Sequence, residues 1–149
     1  MNNKISDETS RDLVSLLNNN SFETLSNKTS ELLKEYPKSI FLLNLNGIAN
    51  TNLKNYPKAL KSFEKVLLIN NKSADALYNL GNLNQIIEKF DMAKESYNKT
   101  LLLDENYFKA YNNLGTIAKI EKNFQQAEIY FKKAINLNDR YPLSLLNLG

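Results

Sequence analysis

Apolar residues follow helical spacing along this chain, in short runs that polar breaks separate. In its middle, one run comprises Leu77, Leu80, Leu83 and Ile87, and the next comprises Phe90, Ala93, Tyr97 and Leu101. Spacings of three and four residues place side chains on one face of an α-helix. The break between the runs, Glu88-Lys89, is too short for anything except an antiparallel helical hairpin. The pattern therefore predicts a pair of amphipathic helices.

The pair is copied along the chain every 34 residues. All four glycines keep this period: Gly47, Gly81, Gly115 and Gly149. A fixed period of this length indicates a repeat architecture. Counting from the first residue of each copy, position 17 is always aromatic: Phe22, Tyr56, Phe90 and Phe124. We therefore predict one all-α domain over residues 1–149, with repeats 6–39, 40–73, 74–107 and 108–141 and a partial repeat 142–149.

Glycine within a helix costs about 1 kcal/mol relative to alanine, so its recurrence at position 8 needs a packing reason. We expect the missing side chain to let the second helix of the pair approach closely. The small residue at position 20 is expected to face the glycine, and the aromatic residue at position 17 to lie in the core. Ser39 and Ser73 occupy N-cap positions, and Pro142 stands where the last helix would begin.

These columns resemble the tetratricopeptide repeat. The matching residues are Tyr78-Asn79-Leu80-Gly81, then Tyr111-Asn112-Asn113-Leu114-Gly115 with Phe124, Ala127, Phe131 and Ala134. The resemblance is strong over residues 40–149 and weak over 6–39. Because Leu13 replaces the glycine there, we interpret 6–39 as a divergent N-terminal cap. Asn46 replaces the usual leucine at position 7, and we expect weaker contacts around it. The resemblance implies a right-handed α-solenoid of antiparallel helix pairs, with about four repeats and a partial one.

The amino-acid composition argues against several kinds of functional site. The chain has neither cysteine nor histidine, so it lacks disulfides, the commonest general base and the usual zinc ligands. We predict no enzyme activity, no cofactor and no metal site. Its 19 basic and 16 acidic residues are interspersed, which predicts no nucleic-acid partner. No apolar run is long enough to cross a bilayer, and the start is too polar for a signal peptide. We predict a cytoplasmic protein without a membrane partner.

The resemblance implies that positions 2, 5, 6, 9, 12 and 13 line a concave groove. Candidate peptide-binding residues at these positions are Asn44, Asp75, Tyr78, Asn79, Asn82, Gln85, Lys109, Asn112, Asn113, Thr116 and Lys119. Asn79, Asn113 and Asn147 share position 6. Their amides would pair with an extended peptide backbone, or they are ordinary helix-surface residues.

Some members of the family hold two carboxylates of a chaperone C-terminus in a clamp of five residues. Asn79 and Lys109 fit the clamp, whereas Asn44, Ile48 and Asn113 occupy the other three positions. This clamp is therefore not expected.

The leading hypothesis is an interaction module that binds a peptide segment of a partner protein in the groove. Two alternatives arise from the partial repeat 142–149, where Leu145 and Leu148 would have nothing packed over them. The chain would be a fragment, the substrate-presenting or dimerising arm of a larger enzyme of sulfotransferase, glycosyltransferase or hydroxylase type. Otherwise it would self-assemble as a homodimer through this C-terminal edge.

Overall fold

A computed structural model describes residues 5–138 of the chain. Within these residues all regular structure is helical, as eight helices: α1 (Asp7–Asn18), α2 (Phe22–Glu35), α3 (Ile40–Asn52), α4 (Tyr56–Ile69), α5 (Ala74–Ile86), α6 (Phe90–Leu103), α7 (Phe108–Ile120) and α8 (Phe124–Leu137). The prediction of an all-α chain of helix pairs is confirmed. None of the helices within residues 5–138 is both long and apolar enough to cross a membrane.

Serine side chains begin two of the first helices, as predicted. The Ser39 hydroxyl accepts a hydrogen bond from the Leu42 N–H at 3.3 Å, and the Ser73 hydroxyl accepts one from the Ala76 N–H at 3.3 Å. Each bond satisfies one of the N–H groups that a helix start leaves without an intrahelical partner. The helix start predicted at Pro142 lies outside the described residues.

The turn inside each helix pair contains one residue in the left-handed conformation. These residues are Asn20, Lys54, Glu88 and Lys122, with φ between 56° and 62°. None of them is glycine, although glycine adopts this conformation at the lowest cost. The N–H that follows then returns to a carbonyl of the first helix, as Lys89 N–H does to Asn84 O at 2.8 Å. This tight turn sets the start of every second helix in the same register.

The glycine at position 8 lies against the aromatic ring at position 24 of its own repeat. A Cβ atom added to Gly81 would lie 2.5 Å from Cε1 of Tyr97, and one added to Gly115 would lie 2.6 Å from Cε1 of Phe131. Gly47 meets Phe63 in the same way. The expected close approach of the helices is therefore confirmed. The three atoms nearest to each added Cβ belong to the aromatic ring at position 24, and the contact expected from position 20 stays a prediction.

The first repeat carries the larger side chain on its first helix and the smaller one on its second helix. Leu13 occupies position 8 where the other repeats have glycine, and Thr29 occupies position 24 where they have a ring. Both side chains are fully buried. A larger residue on α1 thus compensates for a smaller one on α2, which is how a divergent repeat keeps its core packed.

The chain divides between Asn71 and Lys72 into two compact units, which we call the N-terminal and C-terminal units. The core of the N-terminal unit comprises Leu13, Leu25, Leu42, Leu45 and Ala49. A core cluster of the C-terminal unit comprises Ala93, Tyr97, Ala110, Leu114 and Ile117. The single domain over residues 1–149 stays a prediction.

The aromatic column at position 17 packs on these cores only in part. Phe22 packs against the N-terminal core and Phe90 against the C-terminal one. Phe124, in contrast, is 64% exposed. Its predicted core placement is wrong, because α8 is the last helix of the described residues and none of those residues covers this side of it.

Candidate functional site

Two first helices of the C-terminal unit, α5 and α7, are joined by a hydrogen bond between their side chains. The Asn113 amide nitrogen Nδ2 donates to Oδ1 of Asn82 at 2.7 Å. Ten of the predicted site residues belong to these helices: Asp75, Tyr78, Asn79, Asn82, Gln85, Lys109, Asn112, Asn113, Thr116 and Lys119. We call the surface formed by positions 2, 5, 6, 9, 12 and 13 of α5 and α7 the α5–α7 face.

A buried tyrosine of α6 supports this face from beneath. The Tyr97 hydroxyl lies 2.8 Å from Oδ1 of Asn82 and 2.8 Å from Oε1 of Gln85. It also accepts a hydrogen bond from Nδ2 of Asn113 at 3.1 Å. The hydroxyl carries one proton, so it donates to one of these two oxygens at a time. Side chains of three helices thus form one connected group.

Two further tyrosines extend this group towards the start of α5. The Tyr78 hydroxyl accepts from Nδ2 of Asn113 at 3.3 Å, and the Tyr78 ring lies 5.8 Å from the Tyr97 ring and 5.0 Å from the Tyr107 ring. The Tyr107 hydroxyl donates to Oδ1 of Asp75 at 2.8 Å. Asp75 and Tyr78 are therefore already engaged in contacts within the unit.

The Tyr97 and Tyr107 hydroxyls stay protonated at neutral pH. Burial raises the pKa of Tyr97 above its ordinary value. Burial, followed by the hydrogen bond to Asp75, raises the pKa of Tyr107. Burial disfavours the charged form of a phenol, and so does a neighbouring carboxylate. The arrangement is thus suited to hydrogen bonding rather than to proton transfer.

Other groups on the α5–α7 face remain available to a ligand. Asn79 is partly exposed and its side chain makes no hydrogen bond to any described residue. Lys109 and Lys119 are exposed and form no ion pair within residues 5–138. Ile86 and Ile120, which share position 13, are each 52% exposed. The face therefore offers one amide, two cations and two apolar side chains.

Three of the predicted peptide-binding residues are buried, or bonded within the protein, rather than open on this face. The Asn112 side chain is 5% exposed, and the Thr116 hydroxyl donates to the Asn112 carbonyl at 3.1 Å. Asn44 belongs to the N-terminal unit, where its Oδ1 atom is buried and has no hydrogen-bond partner among the described residues. Asn147 lies outside the described residues.

Sequence reasoning missed Tyr97 and Tyr107 as parts of the site. Tyr97 occupies position 24, which is a packing position, and its ring does pack against Gly81. The hydroxyl of Tyr97 could have indicated its role, because the other residues at position 24 are Thr29, Phe63 and Phe131. A phenol in a column of phenylalanine indicates a polar partner nearby.

The N-terminal unit buries its amides instead. Asn46 is 6% exposed; its Nδ2 donates to the Thr29 hydroxyl at 2.9 Å, and its Oδ1 accepts from the Ser62 hydroxyl at 3.0 Å. Asn50, 2% exposed, donates to the Ser26 hydroxyl at 3.1 Å and to Oδ1 of Asn46 at 3.1 Å. The expectation of weaker contacts around Asn46 is wrong, because its amide links α2, α3 and α4.

Comparison with known proteins identifies the repeats of the C-terminal half. The family model described as tetratricopeptide repeat matches residues 74–107 and 108–141. These two segments are tetratricopeptide repeats. No curated protein matches the sequence of the chain.

Solved structures share the fold of this chain. A crystal structure of MamA matches with 21% identity and a TM-score of 0.75, over 91% of this chain and 79% of that one. MamA residues 41 to the end from Desulfovibrio magneticus RS-1 match with 22% identity and a TM-score of 0.75, over 89% and 75% of the two chains. PilF from Pseudomonas aeruginosa matches with 20% identity and a TM-score of 0.84, over 95% and 65%. At these identities the likeness shows the fold, an all-α solenoid of helix pairs.

Proposed function

We propose that this protein is a non-catalytic interaction module that binds an extended peptide segment of a partner protein on the α5–α7 face. One observation carries the proposal. Asn82, Gln85 and Asn113 are held in place by Tyr97, while Asn79, Lys109 and Lys119 beside them have no partner in the described residues. A fixed polar surface with uncommitted groups loses little side-chain freedom when a ligand binds.

The amides suit the main chain of a ligand. A carboxamide offers two donors and an acceptor, and an extended peptide offers N–H and C=O groups along both of its edges. Asn79 has all of its hydrogen-bonding groups available, and Asn113 has its oxygen available. Recognition through the main chain would hold peptides of varied sequence in one orientation.

The charges favour an acidic ligand. Lys109 and Lys119 are exposed without ion-pair partners, whereas Asp75, the acidic residue at position 2 of α5, accepts the Tyr107 hydroxyl. The cations of the face are therefore left for carboxylates of a ligand. Ile86 and Ile120 would take an apolar side chain of the same segment.

An array of 12-residue peptides of varied sequence tests this proposal, followed by fluorescence-polarisation titration of the peptides that bind. We expect the bound peptides to be enriched in Asp and Glu. Asn79→Ala and the pair Lys109→Ala, Lys119→Ala should each weaken binding about tenfold, which corresponds to about 1.4 kcal/mol.

Matched controls come from the second helix α6. Asn98→Ala and Lys99→Ala change an exposed amide and an exposed cation away from the face and should leave the affinity unchanged. Equal losses in the controls and in the face variants would contradict the proposal, as would an array on which no peptide binds.

The two alternatives rest on residues 142–149, which lie outside the described residues. No contact within residues 5–138 favours self-assembly or an arm of a larger enzyme, so peptide binding is the function proposed. The cytoplasm stays the predicted compartment, and fractionation of the source cells would test it.

A further inference from the structure

We infer that Tyr97 is a positioning residue that fixes the orientation of the Asn113 side-chain amide. Its nitrogen then faces the protein, and the α5–α7 face presents only the oxygen of Asn113, a hydrogen-bond acceptor, to a ligand. The ligand must then supply a main-chain N–H to Oδ1 of Asn113. The part that concerns the ligand rests on the proposed function; the orientation of the amide does not.

Packing alone does not require the Tyr97 hydroxyl. Phe63 and Phe131 occupy the same repeat position and cover the glycines of their repeats with a plain ring. A buried hydroxyl is costly unless it is hydrogen-bonded. Tyr97 is fully buried and meets that requirement with Asn82, Gln85 and Asn113. In this repeat the role of the hydroxyl is therefore to hydrogen-bond to the side-chain amides of α5 and α7.

The Asn113 amide has one favourable orientation. Its nitrogen faces three oxygens: Oδ1 of Asn82 at 2.7 Å, the Tyr97 hydroxyl at 3.1 Å and the Tyr78 hydroxyl at 3.3 Å. Rotating the amide by half a turn would set its own oxygen against the Asn82 oxygen, with an acceptor facing an acceptor. Both N–H groups of the Asn113 side chain therefore donate to oxygens of the C-terminal unit.

The oxygen of Asn113 is what remains for a ligand. It has no partner among the described residues, and Asn113 is partly exposed. Asn79 shares position 6 in the preceding repeat and makes no such contacts. The two asparagines therefore offer different groups to a ligand. Asn79 can donate through its nitrogen or accept through its oxygen, whereas Asn113 can only accept.

The orientation is tested without any ligand, by NMR measurement of hydrogen exchange at the Asn113 side-chain amide. In Tyr97→Phe we expect this exchange to accelerate at least tenfold, because the variant removes only the hydroxyl. Tyr130→Phe changes a partly buried tyrosine of α8 and should leave the exchange unaltered. Unchanged exchange in Tyr97→Phe would overturn the inference.

A second pair of variants keeps the orientation testable if Tyr97→Phe folds poorly. Asn113→Asp keeps the shape of the side chain but supplies no donor to Asn82, so its thermal midpoint should fall by about 5 °C. Asn79→Asp, at the same repeat position, should shift the midpoint by less than about 1 °C. Equal midpoints for the two variants would contradict the fixed orientation.

The ligand requirement is tested with the acidic peptides from the array, methylated at one backbone nitrogen at a time. One position should lose at least tenfold in affinity for the unsubstituted protein, and this loss should shrink in Tyr97→Phe. If peptides bind but no such coupled position exists, the acceptor assignment fails and the proposed function stands. If no peptide binds, the proposed function fails, and the exchange rates still decide the orientation of Asn113.

Discussion

The core of the N-terminal unit and the α5–α7 face of the C-terminal unit use the same side chain, the asparagine amide, in opposite ways. In the N-terminal unit Asn46 and Asn50 are buried and bonded to hydroxyls of neighbouring helices. In the C-terminal unit Asn79, Asn82 and Asn113 are partly exposed on the α5–α7 face. The residue type is the same, although one set joins helices within a core and the other lies partly exposed on a helix surface.

The difference follows from the position within the repeat. Asn46 and Asn50 occupy positions 7 and 11, whereas Asn79 and Asn113 occupy position 6. One residue along an α-helix rotates a side chain by about 100°. Asn84, at position 11 of the C-terminal unit, is buried as Asn50 is. The position, rather than the unit or the residue type, decides whether an asparagine is structural.

The largest expected effect is the loss of the buried amide at the centre of the N-terminal unit. Asn46→Ala leaves the buried groups of Thr29, Ser62 and Asn50 without a shared partner. We expect the free energy of unfolding to fall by about 3 kcal/mol, as measured by urea denaturation. Asn79→Ala should change it by less than about 0.5 kcal/mol. Similar values for the two variants would remove the proposed difference between the units.

The glycine contact should behave alike in both units, because each glycine lies under a buried ring. Gly47→Ala and Gly81→Ala place a methyl group against Phe63 and Tyr97. We expect each to lower the free energy of unfolding by about 2 kcal/mol, the usual cost of overpacking a core. Asn98→Ala, at an exposed helical site, is the control and should be nearly neutral. A neutral Gly81→Ala would show that the Tyr97 ring does not set the helix spacing.

Alkaline pH should act on the C-terminal unit through Tyr97, whose pKa burial raises. Below pH 10 the tyrosine is protonated in the folded and unfolded states, and its stabilising contribution is complete. Above about pH 10 the unfolded chain releases this proton while the folded chain keeps it, so stability falls as the pH rises. Between pH 9 and 11 the free energy of unfolding of the protein should fall by about 1 kcal/mol more than that of Tyr97→Phe.

Urea denaturation at the two pH values measures this loss. The lysines of the two proteins are the same, so their titration cancels in the comparison. Parallel pH profiles for the protein and Tyr97→Phe would contradict the assignment of the pKa shift to burial of this hydroxyl.

The smallest effect concerns the turn that both units share. Glu88→Gly and Lys54→Gly relieve a left-handed conformation that costs a non-glycine residue about 1–2 kcal/mol. Glycine also makes the unfolded chain more flexible, which offsets about 0.5–1 kcal/mol of that gain. We expect each variant to be more stable by about 0.5 kcal/mol in thermal denaturation. A loss of stability would show that the turn depends on the side chains of Glu88 and Lys54.

The fold was predictable from the sequence because its signals are local. The helix pairs follow from spacings of three and four residues, and Ser39 and Ser73 act as caps within three residues of their partners. Phe124 shows the limit of such reasoning: a column position predicts burial only where another helix covers it, and 64% of Phe124 is exposed.

The site was less predictable because its hydrogen bonds join residues far apart in the chain. Asn113 bonds to Asn82, 31 residues away, and to Tyr97, 16 residues away. Counting positions placed Asn82 and Asn113 together on one face, but the orientation of each amide depends on the hydroxyl that the third helix brings. Likewise, the repeat position separates the buried Asn46 from the partly exposed Asn79, but it does not predict the hydroxyls to which the Asn46 amide bonds.

Hydrogen exchange at the side-chain amides of Asn46, Asn50 and Asn79, read from one set of NMR spectra, tests the difference between the units most directly. We expect the protons of Asn46 and Asn50 to exchange at least tenfold more slowly than those of Asn79, because only the former are buried and bonded. Equal rates at the three side chains, or slower exchange at Asn79, would contradict the account.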